Sequence, residues 1–283
     1  MKILITGVNG QVGHALMREL TKHELIGLTR QDCDLTSQDQ IRQVIDNHQP
    51  DLIINPAAYT KVDQAEEEPE LAFQINRDAP KVMAEKAREN HIPLIHFSTD
   101  YVFDGEKKGA YMENDSMHPL GLYGHSKYAG EEAVQEVGGL TYIFRTSWVY
   151  SNIGQNFYRT MKKLSQERDE LKVVADQLGV PTSNQFIAEQ MKTIIPQLNQ
   201  NNTGVYHLVA DGSCSWYEFA KQIIGQTNPQ FNLENLLAIT TDEFPTKTKR
   251  PKNSILNNAK IKQTFNLKFK HWQTELEKLI YEA

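Results

Sequence analysis

The 283 residues are 39% apolar and 23% charged, with a formal net charge of -6 and two cysteines, Cys33 and Cys214. This composition excludes wholesale disorder, a disulfide framework and a thiolate metal cluster, and it argues against non-specific nucleic-acid binding. No apolar stretch reaches the ~18 residues of a membrane span, and the apolar run at the N-terminus is too short for a secretory signal. The expectation is a cytoplasmic globular protein of about two domains.

In chain order, short apolar runs alternate with amphipathic helical stretches. Residues 3–6 predict a buried strand, and residues 11–22 a helix with Val12, Ala15, Leu16 and Leu20 on one face. A second strand is expected over 24–28. Ser37-Gln-Asp-Gln40 reads as a capping box opening a helix that carries Ile41, Val44 and Ile45. Residues 51–54 predict a third strand, 70–90 a long helix and 93–97 a fourth strand. This alternation implies right-handed βαβ units, hence a parallel sheet with helices on both faces.

Residues 104–121 hold four glycines and prolines among charged side chains and predict a long functional loop. A helix over 123–137 and a strand over 141–145 resume the sheet. Helices are then expected at 156–168 and 184–195, strands at 172–175 and 204–208, and a helix from Ser215. A basic loop over 241–258 and an amphipathic helix over 272–281 close the chain. The fold class is therefore α/β. A Rossmann-type doubly wound parallel sheet over residues 1–150 carries cofactor and proton chemistry. A smaller C-terminal α/β substrate lobe spans 151–283, and segments of the two are free to interdigitate.

The first strand runs into Gly7-Val-Asn-Gly10-Gln11-Val12-Gly13 and then into a helix. Gly7 permits a tight turn, Gly10 lets the backbone approach a pyrophosphate, and Gly13 allows helix and strand to pack closely. The anion would sit on the helix N-terminus. No Gly-Lys-Ser/Thr follows, which excludes a Walker loop. At the end of the second strand, Arg30 suits the 2′-phosphate of NADPH, although a lone surface Arg is equally a solvated side chain. Asp34 suits the adenine edge of either cofactor. NADPH is favoured, with NADH as the alternative. The small residues Ala57 and Ala58, before Tyr59, stand where the cofactor backbone should pass, or form a simple turn.

Tyr123-Gly-His-Ser-Lys127 places a phenol and an ammonium one helical turn apart. An adjacent cation stabilises a phenolate and equips it to exchange protons with a carbonyl or carbinol oxygen. The fourth strand ends in Ser98-Thr99-Asp100, and strand carboxyl ends are where ligands gather in open α/β sheets. Thr99 is placed to bind the same substrate oxygen. Lys247, Lys249, Arg250 and Lys252 form a basic loop suited to a substrate pyrophosphate, with Arg250 its strongest candidate.

These stretches continue in 55–63 with Glu66-Glu-Glu68, in 97–105, in 123–131, in Arg145-Thr-Ser-Trp-Val-Tyr150, in 173–182 and in Arg250-Pro251. Over nearly its whole length the sequence resembles the extended, sugar-nucleotide branch of the short-chain dehydrogenase/reductase superfamily, and within it the dTDP-4-dehydrorhamnose reductases. The resemblance implies a catalytic trio at Thr99, Tyr123 and Lys127. It implies nucleotide contacts at Gly10, Gln11, Val12, Asp34, Leu35, Ala58, Tyr59 and Thr60, alongside Tyr123 and Lys127. Substrate contacts are implied at Thr99, Asp100 and Trp148, and Asn156 and Arg250 are further substrate candidates. The implied activity is reduction by NADPH of the C4 ketone of dTDP-4-dehydro-6-deoxy-L-mannose, a small-molecule dTDP-sugar.

Some members of that family hold Mg2+ through carboxylates at a dimer interface. Here Ala15 stands two positions after the third loop glycine, and Asn184-Gln185 occur where acidic residues would help, so no metal is expected. The assembly expected is a monomer or homodimer, without nucleic-acid or membrane partners. Two alternatives stand beside the reductase: another nucleotide-sugar reductase or epimerase, and a non-catalytic regulatory subunit on the same fold.

Overall fold

The computed structural model describes residues 1–281, and at its centre lies a six-stranded sheet. The strands are β1 (Lys2–Thr6), β2 (Glu24–Leu28), β3 (Leu52–Asn55), β4 (Leu94–Thr99), β5 (Thr141–Thr146) and a sixth, Gly204–His207. They lie in the order β2-β1-β3-β4-β5-sixth, and every pairing is parallel. β3, β4 and β5 are buried at every residue, as a sheet covered on both faces requires.

Alternation along β1 sorts its side chains between two cores. Ile3 and Ile5 pack with Leu16 of helix α1 (Gln11–Glu19) and with Phe186 and Met191 of the helix Asn184–Ile194. Leu4 faces the other side, with Ile41 and Ile45 of α2 (Gln38–His48), Val82 and Met83 of the helix Ala79–Glu89, and Val134 of the helix Leu122–Val137. β2 and β3 flank β1 on opposite sides, so the strand order reverses there. The crevice at the carboxyl ends of β1 and β3 is where such sheets bind ligands. A separate core, with Tyr150, Tyr158, Phe219, Ile223, Trp272 and Leu276, joins the helices Phe157–Glu167, Trp216–Thr227 and Trp272–Tyr281.

The structure departs from the expected elements in three places. α1 stops at Glu19 rather than at residue 22, capped by Leu20. The capping box of α2 is only half made: Ser37 Oγ accepts from Gln40 N, but Gln40 Oε1 accepts from Asp34 N at 3.0 Å instead of reaching back to Ser37. The long helix after β3 is three segments, Pro69–Phe73, a π turn at Gln74–Asp78, and Ala79–Glu89. The sixth strand and the helix Asn184–Ile194 return from beyond residue 150 to complete the first layer. Among the described residues no helix is long and apolar enough to cross a membrane.

Candidate active site

The glycine loop is built for an anion. Gly7 has φ +60°, and a Cβ there would lie 2.9 Å from that of Ala57. A Cβ on Gly13 would meet the Gly7 carbonyl, its carbon at 2.8 Å, so α1 touches β1's exit backbone to backbone. Gly10 caps α1, and no side chain bonds to the helix start. The first amide groups of α1 are therefore left without a side-chain acceptor, as an anion-binding helix start requires. Val12 turns inward against the core. These features fit a dinucleotide.

At the end of β2, Arg30 is exposed, as a 2′-phosphate partner must be. Asp34 bonds its own turn: Oδ1 accepts from Thr36 N at 3.0 Å and Thr36 Oγ1 at 2.9 Å, which holds the carboxyl below its usual range. Leu35 is half-buried beside it. After β3, Ala57 and Ala58 are half-buried and Thr60 is exposed. Tyr59 is fixed at both ends. Its backbone N donates to Asn76 Oδ1 at 2.8 Å, and its hydroxyl donates to Glu68 at 2.6 Å. Asn76 lies in the π turn, and its Nδ2 also donates to Ser126 Oγ at 2.9 Å. The extra residue of that turn thus ties the cofactor-side loop to the helix bearing Tyr123, a common use of π turns at functional sites.

That helix, Leu122–Val137, starts without a side-chain cap of its own, and Glu66 supplies one by accepting from Leu122 N at 2.8 Å. Tyr123 is 9% exposed, edge-on to Tyr101 with centroids 5.5 Å apart. Burial pushes its phenol well above the usual range, and the Thr99 hydroxyl pulls against that rise. Thr99 Oγ1 donates to Asp100 Oδ1 at 3.0 Å and accepts from Tyr101 N at 3.2 Å. Lys127 is placed otherwise than the sequence suggests. Its Nζ donates to the Phe97 carbonyl at 2.6 Å and lies 3.4 Å from His96 Nε2, so in this structure it is bonded to β4 and not to the phenol. Burial brings the lysine down to about 8.

Beyond β4 and β5, polar atoms are buried without protein partners. Ser98 Oγ, Asp100 Oδ2 and Thr146 Oγ1 are such atoms, and Thr99 and Thr146 are register partners. Orphaned groups at strand carboxyl ends are what a polar ligand satisfies. Burial raises Asp100 to about 6, partly offset by the nearby hydroxyls of Ser254 and Thr99. Trp148, just past β5, has φ +47°. It keeps this uncommon backbone because its ring stacks on Trp216 at 3.5 Å and 10°, while Gly179 leaves room on the ring's edge. A Cβ at Gly179 would lie 2.6 Å from Trp148 Cζ2.

Two substrate candidates are held by neighbouring side chains. Asn156 caps the helix Phe157–Glu167 by accepting from Arg159 N at 3.1 Å, and its Nδ2 donates to Gln11 Oε1 at 2.9 Å and to Ser151 O at 2.9 Å. The cap and this junction tie Asn156 to the glycine loop through Gln11. Ser151 Oγ also donates to Gln11 Oε1, at 2.7 Å, and Asn184 donates to the Gln11 carbonyl at 2.9 Å.

Arg250 pairs with Asp63 at 2.8 Å and lies 5.9 Å from the centroid of the Tyr101 ring. Lys247 pairs with Glu67, and Lys249 with Glu106 at 3.8 Å. The basic loop is therefore not an open cationic patch: Lys247 and Arg250 lie directly on the acidic segment through Glu67 and Asp63, and Lys249 on Glu106. Sequence patterns showed both stretches but not their pairing. They also missed His96, since a buried polar residue in a strand carries no periodic signal, and the Trp148–Trp216 stack and the Gln11 junction, whose partners lie far apart in the chain.

Comparison with known proteins places the chain. The RmlD substrate binding domain family matches residues 1–283. A dTDP-4-dehydrorhamnose reductase of Aggregatibacter actinomycetemcomitans is 40% identical, over 98% of this chain and 98% of its own length. One of Escherichia coli (strain K12) is 39% identical, over 100% and 98%. A crystal structure of dTDP-4-dehydrorhamnose reductase from Bacillus anthracis str. Ames in complex with NADP has a TM-score of 0.93 and 37% identity, covering 100% of this chain and 99% of that one. With a match along its full length, the chain belongs to the RmlD substrate binding domain family.

Proposed function

We propose that the protein is an NADPH-dependent dTDP-4-dehydrorhamnose reductase, which reduces the C4 ketone of dTDP-4-dehydro-6-deoxy-L-mannose to give dTDP-L-rhamnose. The observation that carries this is the full-length kinship with reductases of that name, supported by Thr99 beside the Tyr123 phenol and by the glycine cradle. NADPH, when bound, supplies the hydride.

The chain's own residues do the rest. Amides at the start of α1 hold the pyrophosphate, and Arg30 meets the 2′-phosphate. Thr99 orients the ketone oxygen. Tyr123 gives its proton to that oxygen as charge develops there, which is where a positioned donor contributes most. Lys127 binds the nicotinamide ribose. Asp100 accepts from a sugar hydroxyl, and the Trp148 ring packs against the sugar. Arg250, held by Asp63, stands ready at the substrate's diphosphate.

The test is NADPH oxidation, followed by absorbance, on adding the freshly made 4-keto-L-sugar nucleotide. Steady oxidation with formation of dTDP-L-rhamnose is expected. Absence of oxidation with that sugar, in protein that binds NADPH, overturns the reading.

A further inference from the structure

Behind the Tyr123 helix runs a line of buried side chains that the steps above leave unused. The Thr6 hydroxyl donates to Asn55 Oδ1 at 2.6 Å, Asn55 Nδ2 meets His96 Nδ1 at 3.1 Å, and His96 Nε2 lies 3.4 Å from Lys127 Nζ. None of the four is more than 2% exposed. The line crosses three adjacent strands: Thr6 ends β1, Asn55 ends β3, and His96 is its register partner in β4. It begins one residue before the glycine loop and ends at the amine of the catalytic helix.

The Asn55 amide, oriented by the Thr6 hydroxyl, selects the ring's tautomer. With Thr6 donating to Oδ1, the Asn55 amide nitrogen faces Nδ1, so Nδ1 accepts and the ring proton resides on Nε2. Burial and the neighbouring Lys127 both hold the imidazole neutral. Nε2–H therefore points at Nζ. It bonds well to a free amine and opposes the hydrogens of an ammonium. The Phe97 carbonyl accepts from either form.

We propose that His96 is a positioning residue for the reduction: as an Nε2–H imidazole oriented by Asn55 and Thr6, it holds the Lys127 amine against the Phe97 carbonyl and opposes a permanent ammonium there. This rests on the reductase reading for its purpose but not for its geometry. Burial of Lys127 acts in the same direction. A lysine that trades its proton near working pH can restore the one Tyr123 gives away in each turnover; an ordinary lysine, with a value near 10.4, cannot do so readily.

The other charged groups around Lys127 are accounted for. Glu131, on its own helix, favours the ammonium but is tied to Arg145 of β5 at 2.6 Å. Tyr123 shares the helix, and Asp100 and Tyr101 act on that phenol from beyond β4. From the π turn, Asn76 bonds Ser126, while Arg77 and Asp78 pair with each other.

Three measurements test the proposal. In the wild-type protein, ring nitrogen NMR shifts of His96 should report a neutral Nε2–H tautomer throughout pH 6–9; an Nδ1–H tautomer or a charged ring overturns it. His96→Asn keeps an amide near Nδ1 but withdraws from Nζ, whereas His96→Gln reaches Nζ. The pH dependence of NADPH affinity, read by fluorescence, should break near 8 in the wild type. That break should move upward by about half a unit or more in His96→Asn, and by less in His96→Gln. The alkaline limb of turnover should move with it. An unmoved break in a cooperatively melting His96→Asn overturns the proposal. Because the binding titration needs no sugar, it remains decisive if no sugar nucleotide is reduced, an outcome that would instead overturn the reductase reading.

Discussion

Tyr123 and Asp100 are both carried against their ordinary chemistry by burial. The phenol of Tyr123 is a weak acid made weaker, so its value lies in placement beside Thr99 rather than in ready ionisation. Tyr123→Phe should lower turnover by about 100-fold or more while leaving NADPH affinity within twofold, as checked by steady-state rates and fluorescence titration. Asp100, raised to about 6, is a carboxylate above that pH and an acid below it. Loss of the acceptor should make kcat/KM for the sugar nucleotide fall as pH drops through about 6. The same shift has a cost in stability. A carboxyl whose folded value exceeds its unfolded one stabilises the fold at low pH and loses that contribution as pH rises through the folded value. Asp100→Asn should therefore abolish the acidic limb, reduce activity at pH 8, and raise the melting temperature at pH 8 more than at pH 4.

At the scale of elements, the Tyr123 helix is fastened to β5 by one ion pair with essentially no solvent. Arg145 and Glu131 side chains are 1% and 0% exposed. The guanidinium also donates to the Glu113 carbonyl at 3.2 Å and lies 5.1 Å from the centroid of the Phe103 ring, so it anchors the 104–121 loop as well. Breaking such a pair leaves a buried charge uncompensated. Glu131→Gln should cost about 3–5 kcal/mol in urea unfolding, whereas Glu131→Leu combined with Arg145→Met should cost less than either single change.

This contact also marks the limit of what the sequence shows. Periodicity located the six main strands and most helices to within a few residues, because their apolar faces are written into spacing. The glycine loop and the Tyr-Lys turn were legible because local geometry demands those residue types. Arg145 in an apolar strand, Asn76 in a π turn and Asn156 as a cap depend on partners 14 or more residues away or on helix ends, as Arg145 and Glu131 illustrate. Local pattern does not encode the partner. The acidic run 66–68 likewise gives no local sign of its contacts, yet Glu66 caps the Tyr123 helix and Glu68 holds Tyr59.

For the molecule as a whole, the sixth strand has a consequence for how the protein can be divided. Gly204–His207 pairs along β5 from Tyr142 to Arg145, and Phe186 and Met191 seal the sheet face that Ile3 and Ile5 present. A fragment ending at residue 150 would therefore show a bare, flat β5 edge and an uncovered apolar face, a template for strand-to-strand association. Expressed alone, such a fragment should be insoluble or oligomeric by size-exclusion chromatography. A fragment pair split near residue 200, with the later piece supplied in trans, should restore solubility. The same reasoning bears on recombination between relatives. A crossover near residue 150 would exchange the lid of one core for another's, so viable chimeras must inherit the helix Asn184–Ile194 and the strand Gly204–His207 with the first half they close.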